Sequence, residues 1–190
     1  MKAIHGLMPD FAPEPVNFGK YASNPEICFF IMKFVDMTDE IPEADSLPEK
    51  VAEMHRKGIS PNGTYGFHVP VNQGALQQPN TWTISWEKFF TEMVTRCFNW
   101  ELQIHGEDKE MQELFKNMVE KVIPRLLRPL ETGDNDIKPR LVHGNLWDGN
   151  ARSNIMTDKP IIYDASSMYA HNECTLPKTR CSRLVLIQLS

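Results

Sequence analysis

Eight residues, His143-Gly144-Asn145-Leu146-Trp147-Asp148-Gly149-Asn150, followed by Asp164, have the types and spacing that phosphoryl transfer to a hydroxyl requires. That chemistry needs one group to accept the hydroxyl proton and aim the oxygen at phosphorus, and oxygen ligands that fix Mg²⁺ against the phosphates. In catalytic loops of this type a histidine is followed by a base two residues on, then by a metal-binding Asn, and later by a metal-binding Asp. His143, Asn150 and Asp164 take three of those places. Position 145, where an Asp base is expected, holds Asn. An amide is not a base at neutral pH, and general-base catalysis contributes about 10²–10⁴-fold. Asn145 keeps the capacity to orient a hydroxyl. Each residue alone also fits a structural role: a buried histidine, a turn Asn, a carboxylate at a strand end. The whole set at this spacing favours the chemical role.

The elements that must position these residues are short. Arg140 to His143 reads as a strand entering a loop, and Asp148-Gly149 as a tight turn that returns Asn150 to the site. Ala151 to Met156 and Lys159 to Tyr163 read as a hairpin joined at 157–159. That hairpin would bring Asp164 beside Asn150, so that their side-chain oxygens share a cation.

The pattern His-Gly-x-Leu-Trp-x-Gly-Asn, then a hairpin, then Asp164-Ala165-Ser166-Ser167-Met168-Tyr169-Ala170-His171-Asn172-Glu173, resembles the fructosamine/ketosamine-3-kinases, also called protein-ribulosamine 3-kinases. Tyr65-Gly66-Phe67, Gly74, Gln77 or Gln78, Asn80, Trp82, Trp86, Phe89-Phe90 and Glu92 resemble an upstream segment of that family. Cys28 to Met37 is similar to its strand and hinge, and Leu47 to His55 to a helix that follows. These enzymes resemble aminoglycoside and choline kinases in fold. The resemblance implies an α+β, protein-kinase-like architecture, with N-terminal-lobe strands and a mainly helical C-terminal lobe carrying a catalytic hairpin. It implies ATP and Mg²⁺ as cofactors, and a glycated protein or small ketoamine as substrate, phosphorylated on the sugar so that the amine is released. By the same carry-over, position 145 is the base with His143 beside it, Asn150 and Asp164 are the metal ligands, and the backbone of Lys33 and Val35 faces adenine.

The chain departs from the pattern at three places. Asn145 is the first. Second, no Gly-x-Gly-x-x-Gly occurs, and no Val-Ala-Ile-Lys-like strand precedes the hinge, so Met1 reads as an internal methionine and Lys2 and Lys20 as solvated surface residues. Third, Cys174 to Ser190 does not resemble the family's continuation and ends in the apolar Leu184-Val185-Leu186-Ile187. Three readings follow: a truncated and altered copy of a ketosamine kinase, a non-catalytic pseudokinase-like binding protein, or a non-functional gene fragment. The expected division is 1–37 as N-lobe remnant and hinge, 38–82 as linker, short helix and long loop, 83–173 as C-lobe core, and 174–190 as a divergent tail.

Composition excludes several classes. With 190 residues, 41% hydrophobic, the chain suits one domain or one lobe with a packed core. A net charge of −5 gives no basic field for nucleic acid. The longest apolar run, Ile27 to Met32, is too short for a membrane span, and the start lacks a signal-peptide layout. Cys28, Cys97, Cys174 and Cys181 show no metal-binding spacing. Cys28 and Cys97 lie in apolar patterns and read as buried thiols, and a reducing cytoplasmic location fits.

Elsewhere the pattern predicts strands at Pro13 to Phe18 and Glu26 to Val35, a helix over Pro48 to Lys57 with Leu47, Val51 and Met54 on its inner face, and a Gly/Pro/Asn/Gln-rich loop over 58–82. Two long helices follow, Ile84 to His105 and Glu107 to Leu127. They are antiparallel about Gly106, carry Trp, Phe and Met stripes that read as core, and Pro124 disturbs the last turn of the second. A polar loop over 132–138 leads to the catalytic strand.

Overall fold

The computed structural model describes residues 1–132 and 137–175. The divergent tail beyond Thr175, with Cys181 and the apolar tetrad, lies outside the described residues, as does most of the polar loop before the catalytic strand. Helix α1 (Lys2–Leu7) is followed by a hairpin of β1 (Pro15–Lys20) and β2 (Cys28–Met32). The hairpin pairs Phe18 with Phe30 and Gly19 with Phe29. Asn24 closes its turn, accepting from Ile27 N–H through its carbonyl and from Glu26 N–H through its side chain.

The predicted burial of Cys28 is wrong. Cys28, Phe30 and Ile31 are exposed, whereas Phe29 and Met32 are half-buried. Among the described residues β1 and β2 pair only with each other. An apolar run predicts a strand buried on both faces only when another layer covers its second face.

Helix α2 (Ser46–Lys57) turns Leu47, Val51 and Met54 inward, as the sequence predicts, and Met54 is fully buried. It stops at Gly58, where a Cβ would press on Leu141 Cβ at 2.7 Å and Met54 carbonyl at 2.8 Å. The chain then crosses to the catalytic strand: Gly58 carbonyl accepts from Leu141 N–H (2.6 Å), and Ser60 N–H donates to Pro139 carbonyl (3.1 Å). The long loop is not irregular throughout. It holds a small hairpin of β3 (Asn72–Gln73) and β4 (Leu76–Gln77) about Gly74, and Tyr65 pairs with Thr83 across its base.

Helix α3 (Trp86–His105) starts one residue after Ser85, whose hydroxyl caps it by accepting from Lys88 N–H (3.2 Å). Asp108 caps α4 (Lys109–Asn117) the same way through Met111 N–H (3.0 Å). The second predicted helix is not uniform. A π-helical turn, Met118–Val122, separates α4 from α5 (Ile123–Leu127). Pro124 has no N–H to offer the carbonyl four residues back, and Ile123 N–H donates instead to Met118 carbonyl, one residue further than an α-helical bond. The pair is antiparallel, with Phe98 stacked on Phe115 at a centroid distance of 3.9 Å.

These helices bury less than their stripes predict. Trp86, Phe89, Val94 and Ile123 are buried, but α4 has no buried residue, and Cys97, Trp100, Leu114 and Leu126 are exposed. The core gathers instead around α1, α2 and the catalytic strands. Ile4, Met8, Phe11, Met54, Tyr65, Trp86, Phe89, Leu141, Val142 and Ile162 form one cluster. A stripe at helical spacing shows which face would be buried, not whether anything lies against it.

Catalytic strand β5 (Arg140–Val142) pairs antiparallel with β8 (Met168–Ala170), and β6 (Ala151–Ser153) with β7 (Pro160–Ile162). The predicted 151–163 hairpin is therefore present, with shorter strands. It is tied to both flanks: Ile162 N–H donates to Phe11 carbonyl (2.9 Å), and Thr38 N–H to Ser153 carbonyl (2.9 Å). The second bond holds the segment after β2 against the hairpin that carries Asp164.

Candidate active site

β5 delivers His143 into the core with no exposed surface. Its ring holds the loop at two points. Nε2 lies 3.0 Å from Tyr163 carbonyl, and Nδ1 accepts from Asn145 N–H at 3.2 Å. A carbonyl can only accept, so Nε2 carries the proton and the ring is neutral. Burial drives its pKa down to about 4, in keeping with that state. His143 is thus a structural pin for position 145, and it touches the strand that leads to Asp164.

Gly144 follows with φ of 73°, and a Cβ there would collide with Ser166 carbonyl. The turn brings Asn145 inward, where it is 9% exposed. Its side-chain Nδ2 donates to Asp164 twice over, to Oδ2 at 3.1 Å and to the backbone carbonyl at 3.2 Å. Asp164 has φ of 56°, a left-handed conformation uncommon for a residue with a side chain, and this backbone turn accompanies the approach of its carbonyl to the same amide. Asn150, also buried, donates its Nδ2 to Asn145 carbonyl at 2.7 Å. Asn150, Asn145 and Asp164 therefore form one hydrogen-bonded series. Among the described residues no hydrogen bond joins Asn150 to Asp164 directly; both bond to Asn145.

Tyr163, Trp147 and Gln73 support this series; Trp147 belongs to the sequence motif, whereas Tyr163 and Gln73 were given no role from sequence. Tyr163 N–H donates to Asn150 carbonyl (3.1 Å), and its hydroxyl to Gly149 carbonyl (2.8 Å). The Trp147 ring covers Gly149 so closely that a Cβ there would enter it. Gln73 Nε2 donates to Gly144 carbonyl at 3.2 Å, and Ser166 hydroxyl donates to Asn72 carbonyl, so the β3–β4 hairpin is fastened to the catalytic loop. Tyr163 was legible only as the neighbour of Asp164, and nothing in the long loop marks Gln73.

A cavity of about 450 Å³ lies beside Asp164, lined by Met1, Phe30, Met32, Tyr163, Asp164 and Ala165. β2 forms one wall and the end of the catalytic hairpin the other. Lys33 and Val35 follow directly on β2. Lys33 N–H is used by Glu14 carbonyl (2.8 Å), and its ammonium pairs with Glu14 carboxylate (2.6 Å) in the open. A larger cavity, about 670 Å³, opens beside α3 and α5 near Trp82, Glu120 and Arg128 and contains none of the residues of the series.

The donor set suits a hard divalent cation. It consists of oxygens from the Asp164 carboxylate and the Asn150 amide, and beside them Asn145 Oδ1 is buried with no hydrogen-bond partner. An orphaned buried oxygen costs about 1–3 kcal/mol and is a place a cation or a hydroxyl donor would satisfy. No group of three or more His, Cys, Asp or Glu that could hold a metal ion exists among the described residues. No helix among them is long and apolar enough to cross a membrane.

This mixed arrangement of helices and small sheets is a kinase-like fold. It is shared with two solved structures, each provisionally named a fructosamine-3-kinase: one from Thermobifida fusca YX-ER1 (TM-score 0.65, 21% identity, 92% of this chain and 55% of that one) and one from Haemophilus somnus 129PT (TM-score 0.61, 23% identity, the same coverage). The chain belongs to the fructosamine kinase family, whose sequence model matches residues 2–182. A protein-ribulosamine 3-kinase of Oryza sativa subsp. indica, named as chloroplastic, is 31% identical over 191 residues, covering 96% of this chain and 50% of the relative. The ketosamine-3-kinase of Mus musculus is 35% identical over 112 residues, covering 59% and 34%. The chain spans about half the length of the first of these relatives.

Proposed function

We propose that the chain carries the nucleotide-and-metal half of an ATP-dependent ketosamine 3-kinase site, with glycated protein or a small ketoamine as acceptor. The observation that carries this reading is the hydrogen-bonded series Asn150–Asn145–Asp164, two buried amides leading to an exposed carboxylate, on a loop pinned by His143. In this reading residues 1–37 supply the upper wall and hinge, 38–82 the linker and loop, and 83–173 the helical lobe with its catalytic hairpin. The backbone of Lys33 and Val35, which follows β2 past the cavity beside Asp164, would face adenine. Lys33 N–H is committed to Glu14, so its carbonyl is the group left to accept from the base. Asn150 and Asp164 would hold Mg²⁺, which when bound neutralises charge on the phosphates. Asn145 aims the acceptor hydroxyl through Oδ1 but does not take its proton.

A second reading has its own support. Asn145 Nδ2 is already bonded to Asp164, an arrangement that suits a protein binding nucleotide or glycated ligand without turnover. Thermal denaturation of the full chain tests the shared part. ATP with Mg²⁺ raises the melting temperature, as any ligand selective for the folded state must. Asn150→Ala and Asp164→Ala abolish the rise. No rise with the intact chain overturns both readings. Turnover of a ribulosyl-lysine substrate then separates enzyme from binder.

A further inference from the structure

We propose that Asn145 is a latch on Asp164: its amide stands in for the divalent cation, assembling the carboxylate's side of the site without metal, so that a cation gains Asp164 Oδ2 only by displacing it. The inference rests on the reading of Asp164 as a metal ligand and adds the means by which this chain regulates access to it. Three observations support the latch. First, one amide nitrogen serves both Oδ2 and the backbone carbonyl of Asp164, at 3.1 and 3.2 Å, so the contact fixes the side chain and the left-handed backbone together. Second, the amide's own oxygen is buried and unpartnered. Turning the amide over would give Oδ1 a new environment, but it would set that oxygen against the Asp164 carboxylate and lose a charge-assisted bond. Leaving Oδ1 orphaned is the lesser cost. Third, position 145 cannot swing away freely, because its N–H is held by His143 Nδ1 and its carbonyl by Asn150 Nδ2.

An Asp at 145 would behave in the opposite way. Two carboxylates would meet where amide and carboxylate now meet, and a cation would be needed to hold them together. The substitution therefore changes more than proton transfer. It exchanges a site that asks for a cation for one that is closed without it.

Direct titration of the full chain with Mn²⁺ alone, followed by the loss of the free-ion paramagnetic signal, tests this. The decisive variant is Asn145→Ala, which removes the latch and adds no charge. Release of Asp164 tightens Mn²⁺ binding by about tenfold over the parent chain. If Asn145 were instead an ordinary oxygen ligand, Asn145→Ala would weaken Mn²⁺, and weaker or unchanged binding overturns the latch. Asn145→Ser, too short to bridge to Asp164, gives the same tightening and covers the case in which the alanine variant does not fold. Asn145→Asp, with and without Asp164→Ala, tests the underlying reading separately. Mn²⁺ bound by Asn145→Asp and lost in the double variant keeps Asp164 as a ligand whatever the latch result. No binding by any variant removes the metal reading and the latch together.

Discussion

His143 Nε2 donates to the carbonyl of Tyr163 across 3.0 Å, joining the start of the catalytic loop to the residue before Asp164. The other nitrogen of the same ring receives Asn145 N–H. One neutral imidazole thus sets the distance between the two segments that the Asn145–Asp164 bond closes. His143→Ala leaves the buried Asn145 N–H and the part-buried Tyr163 carbonyl without the ring and opens a void, at a cost of about 3–5 kcal/mol. Denaturant unfolding of the variant checks this. A loss below about 1 kcal/mol would show that the ring is not the pin described.

Gly144 and Gly63 have nearly the same backbone twist, φ of 73° and 69°, in different surroundings. A methyl group at Gly63 meets nothing within 4 Å, whereas one at Gly144 strikes Ser166 carbonyl. Gly63→Ala therefore costs only the left-handed strain, about 1 kcal/mol. Gly144→Ala adds displacement of the segment after Asp164 and costs at least about 2 kcal/mol more. Comparing the two by denaturant unfolding separates conformational strain from steric contact. Equal losses would mean that the Ser166 segment moves aside freely.

The site was more legible in the sequence than the lobe around it. His143, Asn145, Asn150 and Asp164 were readable because a turn and a hairpin leave little choice of geometry, and Asp148-Gly149 and the 151–163 hairpin formed where the pattern placed them. Asn150 and Asp164 were expected to share a cation; the structure links each of them to Asn145, Asn150 through the backbone carbonyl and Asp164 through the side-chain amide. Burial of Cys28 and Cys97 failed for a different reason. Their apolar neighbours signal strand and helix correctly, but only a packing partner makes such a face core, and a local pattern carries no information about partners. Gln73 was invisible because its role depends on where a long loop happens to fold back.

His55 gives the structure a dependence on pH. Its Nε2 lies 2.7 Å from Thr175 hydroxyl, and its pKa is lowered to about 4, chiefly by burial and then by Arg140 and His171. The unfolded chain takes up a proton near 6.5, the folded one only near 4. Between those values the unfolded state binds more protons, so stability is full above about 6.5 and falls as pH drops towards 4. The direction for His171, also lowered by burial, is the same. The melting temperature of the chain should therefore fall steadily from about pH 7 to pH 5, and His55→Gln should flatten part of that slope. An unchanged slope in the variant would place the titration elsewhere.

The chain as it stands should turn over ribulosyl-lysine poorly, and Asn145→Asp should restore little. A missing base alone lowers the rate by about 10²–10⁴-fold. The reversion returns a proton acceptor, but these 190 residues contain no Gly-x-Gly-x-x-Gly to cover the phosphates. It also places a second carboxylate against Asp164, where the parent has an amide donor. Without bound metal the two acids repel, so any rescue should rise steeply with Mg²⁺ rather than with ATP alone. A phosphate-release assay over a Mg²⁺ series, parent beside Asn145→Asp, measures this. Ready turnover by the parent would show that orientation of the hydroxyl by Asn145 suffices, and that the proton leaves by another route.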